Sequence, residues 1–331
     1  MTLFCGGFNA SNQLGIVKEK VTPYMMNVSL DGLKCISNGE DHTILVYEDG
    51  TVLALGDDEE FTIGTEKRTT YISPEKIDLS NISTEKVVFA HCGSFYSAYL
   101  TESGKMIVCS AYKKDEPILI EHSNPIIHVA GGGRAPCAID SEGGILLFQN
   151  DPSEKYEYIK LEKQIYDITQ TDAFVACVAV DGTVYGNGIL NNGQPEFAQI
   201  ETLKDKKVKR VVSAEIHCIF ITLDNKAIIF SDIYNEEMDD IGFHEIEEIN
   251  ITQAATGGTH ALFLTPEGDL YAYGYSADGA LLLGKEQEAD PPKKIPMPGK
   301  ISWIDCGHLQ SFVLVNREPF VHPGAAFFSI L

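Results

Sequence analysis

No stretch of the sequence approaches the ~20 consecutive apolar residues that cross a bilayer as a helix. The first ten residues have neither the basic start nor the apolar core of a secretory leader, so a cytoplasmic chain without membrane contact is expected. Its eight cysteines (Cys5, Cys35, Cys92, Cys109, Cys137, Cys177, Cys218 and Cys306) include no C-x-x-C pair and no histidine at zinc-ligand spacing. That pattern argues for reduced, buried thiols and against a disulfide framework or a structural metal. Basic residues are scarce, 25 against 48 acidic ones, and the resulting formal charge of −23 repels a phosphate backbone. Nucleic acid is therefore not an expected partner. Also missing are a G-x-S-x-G elbow, an H-E-x-x-H pair and a dinucleotide fingerprint opening a helix. With hardly any helical patterning to carry such motifs, neither an enzyme nor a cofactor is expected.

What the sequence does contain is a repeat. Gly39-Glu-Asp-His42, followed by an apolar run and Asp49-Gly50, returns as Gly257-Gly-Thr-His260, an apolar run and Glu267-Gly268. Aligning weaker copies places the first position at Gly39, Gly93, Gly132, Thr171, Ala214, Gly257 and Gly307, spaced 39 to 54 residues apart. The residue eleven further on is Gly50, Gly104, Gly143, Gly182, Asn225 or Gly268. Glycine and asparagine are the residues that tolerate the positive φ of a two-residue hairpin turn, so each copy reads as strand, turn, strand. Runs such as Thr43–Tyr47, Phe174–Val180 and Cys218–Thr222 are nearly continuous in apolarity and rich in β-branched residues, the pattern of strands buried on both faces.

Seven units of this length suit blades of four short strands, and the expected fold is an all-β, seven-bladed β-propeller. Units begin near residues 35, 89, 128, 167, 210, 253 and 303. The seventh lacks a second strand after its turn, whereas the chain opens with an orphan strand at Leu3–Gly7. That strand is expected to complete the last blade beside Phe312–Val315, sealing the ring without an open sheet edge. The expectation is one domain over residues 1–316, followed by an apolar tail, 317–331, whose Phe320, Val321, Phe327, Phe328, Ile330 and Leu331 pack either on the propeller or on a partner.

Gly7-Phe8-Asn9 through Gln13-Leu14-Gly15, and Gly274-Tyr275-Ser276 through Gly284, resemble the Gly-x-Asn-x-x-Gly-Gln-Leu-Gly signature of the regulator of chromosome condensation family of propellers. The Gly-x-x-His unit start matches the same family, and the resemblance runs from about Leu3 to Val315. The copies are degenerate: the histidine position carries His42, Tyr96, Ala135, Phe174, His217, His260 and Gln310. In the family this histidine bonds a neighbouring backbone, so His42, His217 and His260 are expected to be structural. The resemblance implies a rigid ring whose loops grip protein partners, and it brings two narrower alternatives. One is nucleotide exchange on a Ran-type small GTPase, the activity of the founding member, although units three and four are too short for its inserted β-wedge. The other is the alpha-tubulin-suppressor type, tied to transfer-RNA modification and to microtubules, which extends to cytoskeletal or ciliary assembly. A plant ultraviolet-receptor reading needs a tryptophan cluster, and Trp303 is the only tryptophan.

Three acidic runs follow the second strand of the turn in their units: Asp57, Asp58, Glu59 and Glu60; Glu236, Glu237, Asp239 and Asp240; and Glu286, Glu288 and Asp290. Their common place in the repeat puts them on one face, where they either form a docking surface for protein partners or serve only to keep an acidic protein soluble. Gly131-Gly-Gly-Arg134 lacks the lysine of a phosphate loop and falls in register with the unit start. The basic run Lys204–Arg210 reads as a solvated linker between units four and five.

Overall fold

Each unit closes into a four-stranded antiparallel sheet, and the computed structural model contains seven such sheets in a ring. It describes residues 1–15, 24–26, 28–65, 67, 69–214, 217–231 and 242–316. Among the described residues no helix is long and apolar enough to cross a membrane. The tail and the run Glu236, Glu237, Asp239 and Asp240 lie outside the described residues.

The first strands of blades one to seven are Leu33–Asn38, Val87–Cys92, Ile126–Ala130, Ile165–Gln170, Val208–Ser213, Gln253–Thr256 and Lys300–Cys306. Each packs against the first strand of the next blade, and the seventh packs against the first, around a central channel of about 550 Å³. The second strands stand one step out. Those at His42–Tyr47, Tyr96–Thr101, His217–Thr222 and His260–Leu264 are buried at every position. Such a strand has sheet neighbours on both edges and another blade over each face, which is why its apolarity is continuous instead of alternating. Outermost strands such as Tyr71–Lys76 and Gln194–Gln199 are mostly exposed and correspondingly polar.

The chain ends share the seventh sheet, in the order Lys300–Cys306, Gln310–Asn316, Thr2–Gly7, Tyr24–Met25. Six rungs, from Thr2 opposite Val315 to Gly7 opposite Gln310, close the ring. The hairpin turns between second and third strands behave as the sequence requires: Gly50, Gly104, Gly143, Gly182, Asn225 and Gly268 all have φ between 67° and 87°. Because strand direction alternates, these turns occupy one end of the ring. The loops joining first to second and third to fourth strands occupy the other, the loop face.

Candidate protein-binding face

The residues that build the loop face are set by a recurring nine-residue loop after the third strand. Gly7–Gly15 is one copy, and Gly56-Asp-Asp-Glu-Glu-Phe-Thr-Ile-Gly64 is a second, which sequence reading took for an acidic run only. The third starts at Gly274 but ends at Leu282 and not at Gly284. Positive φ falls at the first, sixth and ninth positions of every copy: Gly7, Asn12 and Gly15; Gly56, Phe61 and Gly64; Gly274, Gly279 and Leu282. The eighth position, Leu14, Ile63 or Leu281, is fully buried in each. At the third position a polar side chain ties the loop shut: Asn9 Oδ1 accepts the Leu14 N–H at 2.8 Å, and Ser276 Oγ accepts that of Ala280 at 3.0 Å.

Asp58 holds that third position in blade one, which corrects its assignment to the docking surface. Its carboxylate is wholly buried and accepts the N–H groups of Ile63, Gly64 and Thr65 and the Thr65 hydroxyl. Burial raises its pKa and these hydrogen bonds offset part of the rise. The offset between Gly39 and Gly56, equal to that between Gly257 and Gly274, was the signal that could have revealed this copy. Two further corrections follow from blade six. Glu288 and Asp290 stand on the exposed side of its outermost strand, Glu288–Ile295, and not in a loop. Glu286 is committed to an ion pair with Lys293 at 2.6 Å.

Asp57, Glu59 and Glu60 do belong to the loop face, with Asp41 beside them. Asp57 accepts the Thr70 hydroxyl at 3.1 Å, and Asp41 accepts that of Ser11 from blade seven at 2.8 Å. What sequence reading missed is the apolar part of the face. The residue after each loop's first glycine donates its N–H to the first-to-second-strand connection: Phe8 to Leu309, Asp57 to Asp41, Ile189 to Ala173 and Tyr275 to Thr259. At this one repeat position Phe8, Ile189 and Tyr275 are 37%, 37% and 50% exposed. Blades six and seven thus present Tyr275, half-buried Leu309 and Phe8 on the same face as the acidic group of blade one. The periodicity was present in the sequence, but exposure at a given register follows only from the closed ring.

The histidine position staples one blade to the next. His42 Nε2 bonds Ser97 Oγ at 2.8 Å, His260 Nε2 bonds Ser311 Oγ at 2.9 Å, and His217 bonds Thr256 Oγ1. The degenerate copies do the same with other chemistry: Tyr96 donates to the Gly131 carbonyl and Gln310 to the Glu40 carbonyl, while Phe174 packs edge-on against Phe230. The staple therefore reaches a side-chain hydroxyl at the histidines and a neighbouring backbone carbonyl at Tyr96 and Gln310. Burial pushes His42, His217 and His260 down to about 4, 4 and 3, so all three are neutral at physiological pH. The unit-start glycine is coupled to this ring, since a Cβ on Gly39 or Gly257 would stand 2.4 or 2.3 Å from the ring carbon of its own histidine. Blade three, with Ala135, has no such staple: Gly132 donates instead to Gln170 of blade four, and Arg134 pairs with Asp172 at 3.0 Å.

In the channel, first-strand edges are capped by side chains of the preceding blade. Ser37 accepts the Cys92 N–H and Asp167 the Val211 N–H. Burial alone would raise Asp167, but Arg210, His128 and the Val211 N–H hold it below the usual carboxylate value. Arg210 is thus part of the channel wall, a correction to the linker assignment. Of the other lysines in that run, Lys204 pairs with Glu201 and Lys206 with Glu245. Among the described residues no cluster of His, Cys, Asp and Glu is arranged to hold a metal ion.

Seven four-stranded blades, a two-ended seventh sheet and inter-blade staples at the Gly-x-x-His position define a class of repeat propeller. In sequence and fold the chain is similar to propellers of the regulator of chromosome condensation type. No protein-family model matches it. It is 23% identical over 300 residues to the mouse RCC1-like G exchanging factor-like protein, covering 82% of this chain and 59% of that protein, so it spans less than two thirds of that relative. To the Xenopus laevis regulator of chromosome condensation it is 21% identical over 350 residues, covering 91% of this chain and 74% of that one. Among solved structures, human WBSCR16 superposes with a TM-score of 0.81 at 16% identity, covering 96% of this chain and all of the other. Saccharomyces cerevisiae Prp20p, characterised for its binding to Gsp1p and histones, gives 0.80 at 15% identity over 99% and 94%.

Proposed function

We propose that the chain is a non-enzymatic, cytoplasmic protein-binding module that grips its partner through the loop face of blades six, seven and one. The observation that carries this reading is the presence on one face of exposed Tyr275 and Phe8, with half-buried Leu309, together with Asp41, Asp57, Glu59 and Glu60. Aromatic groups supply contact area at low conformational cost, and acidic neighbours steer a basic, apolar-tipped surface toward them. In affinity purification from native extract, a Phe8→Ala/Tyr275→Ala variant should lose the retained partner at least tenfold while melting like wild type. Reversing Asp57, Glu59 and Glu60 to lysine should slow association with that partner and weaken its salt dependence. A partner held equally by both variants at every ionic strength would move the binding surface elsewhere.

A second reading, nucleotide exchange on a small GTPase, is favoured by the exchange-factor-like relatives and by the likeness to Prp20p. The short third and fourth units, which leave no room for an inserted β-wedge, favour binding alone. Release of fluorescent GDP from a Ran-type GTPase should rise by less than about tenfold, or ~1.4 kcal/mol of barrier, in the presence of the purified chain. A larger acceleration reverses the ranking.

A further inference from the structure

Blade three departs from the repeat at the end of its second strand. In blades two, five and six this position is Thr101, Thr222 or Thr265, whose hydroxyl accepts the N–H four residues later and closes the hairpin turn. Blade three has Asp140 there. One oxygen closes the turn, accepting the N–H groups of Glu142 and Gly144 at 2.9 and 2.8 Å. The other accepts Asn124 Nδ2 and the Tyr158 hydroxyl, both at 2.9 Å, and faces His122 Nε2 at 3.3 Å. On the far side of the imidazole, Nδ1 meets the Tyr156 hydroxyl at 2.8 Å.

The donor sense of this chain follows from the groups themselves. Asp140 is fully buried and its hydrogen bonds hold it ionised against the effect of burial, so it only accepts. His122 then donates from Nε2 to Asp140, and Nδ1 is the ring nitrogen placed against the Tyr156 hydroxyl to take its proton. A carboxylate that fixes an imidazole tautomer, whose free nitrogen takes the proton of a hydroxyl, is the arrangement that activates a nucleophile. The hairpin itself needs only the first oxygen of Asp140, so the His122 to Tyr156 extension is surplus to the turn. Tyr156 is partly exposed, on the strand side of the third-to-fourth-strand loop.

We propose that Tyr156 is a nucleophilic tyrosine, a modification site that accepts an acyl group from activated esters, thioesters or acyl-imidazoles. The phenol oxygen attacks the acyl carbon, and the bond from that carbon to the leaving group breaks. His122 Nδ1 takes the phenol proton and returns it to the departing group. Asp140 is a positioning residue.

The test is acetylation by N-acetylimidazole, quantified per tyrosine by peptide mass spectrometry. Tyr156 should label at least tenfold faster than Tyr112, Tyr158 and Tyr275, which are 42%, 41% and 50% exposed. His122→Gln should remove that advantage at Tyr156 and leave Tyr112 and Tyr275 unchanged. Asp140→Thr restores the residue used at this turn in other blades, so the hairpin should still close and the protein fold, at a melting temperature lowered by the three donors left without Oδ2, while the labelling advantage disappears. Tyr156 labelling no faster than the more exposed tyrosines, or undiminished in a folded Asp140→Thr protein, would overturn the proposal and leave the cluster a turn brace.

Discussion

Asp305→Asn should stabilise the protein at pH 8 and make almost no difference near pH 4. Asp305 sits at the seam between blade seven and blade one, where Asn38 Nδ2 donates to it at 2.6 Å. Burial pushes its carboxyl up from 3.8 to about 7, against hydrogen bonds from Asn38 and the Cys306 backbone that act to lower it. The thiols of Cys35, Cys92 and Cys306, raised chiefly by their own burial, are pushed up further by its charge. A carboxyl with a raised folded-state pKa binds its proton more tightly folded than unfolded. Stability is therefore full below about pH 4, falls as pH rises to about 7, and stays at its lower level above that. The asparagine keeps the shape and the acceptor but has no charge to desolvate. Because Asp305 retains some contact with the channel, the expected gain at pH 8 is about 1–3 kcal/mol, less than the full shift would imply. Thermal melts of both proteins across pH 4 to 8 check this. A gap that does not close toward low pH, or a variant less stable at pH 8, contradicts it.

Gly56→Ala should be the most damaging single methyl in blade one, whereas Gly284→Ala should cost little more than backbone strain. Both glycines have positive φ, 92° and 70°. The Cβ of an alanine at 284 would meet nothing within 4 Å, but at 56 it would stand 2.1 Å from the Asp41 carbonyl oxygen and 2.8 Å from His42 Cα. Left-handed strain alone is roughly 1 kcal/mol. Displacing the first-to-second-strand connection, which carries Asp41 on the binding face and leads into the His42 staple, brings the expected cost at Gly56 to roughly 3 kcal/mol or more. Denaturant midpoints of the two variants should differ accordingly. Equal losses would mean that the loop yields freely and that the close approach is not what requires glycine.

How far the site could be read in advance varies residue by residue. The split seventh blade was legible because a missing strand at one end and an orphan at the other are both visible in the linear pattern. The structural character of His42, His217 and His260 was legible because they recur at one register. Asp58 was not. Its acidic neighbours disguise it, and only the geometry of the loop shows three backbone N–H groups converging on its carboxylate. Arg210 was misplaced for a similar reason: a basic run is read as solvated until the strand register turns one member toward Asp167.

The repeat spacing, the turn glycines and the continuous apolar second strands determined the propeller from the sequence alone. These are local requirements, a positive φ at a tight turn and a residue that can be dry on both sides, and they act wherever the residue sits. Which charges remain available was decided only when the ring closed. Asp58 was consumed inside a loop, Glu286 was paired with Lys293, and Phe8 and Tyr275 were left exposed. That division has a physical reason: backbone conformation and burial pattern are encoded within a few residues. The solvation and pairing of a side chain depend on atoms brought from distant parts of the chain.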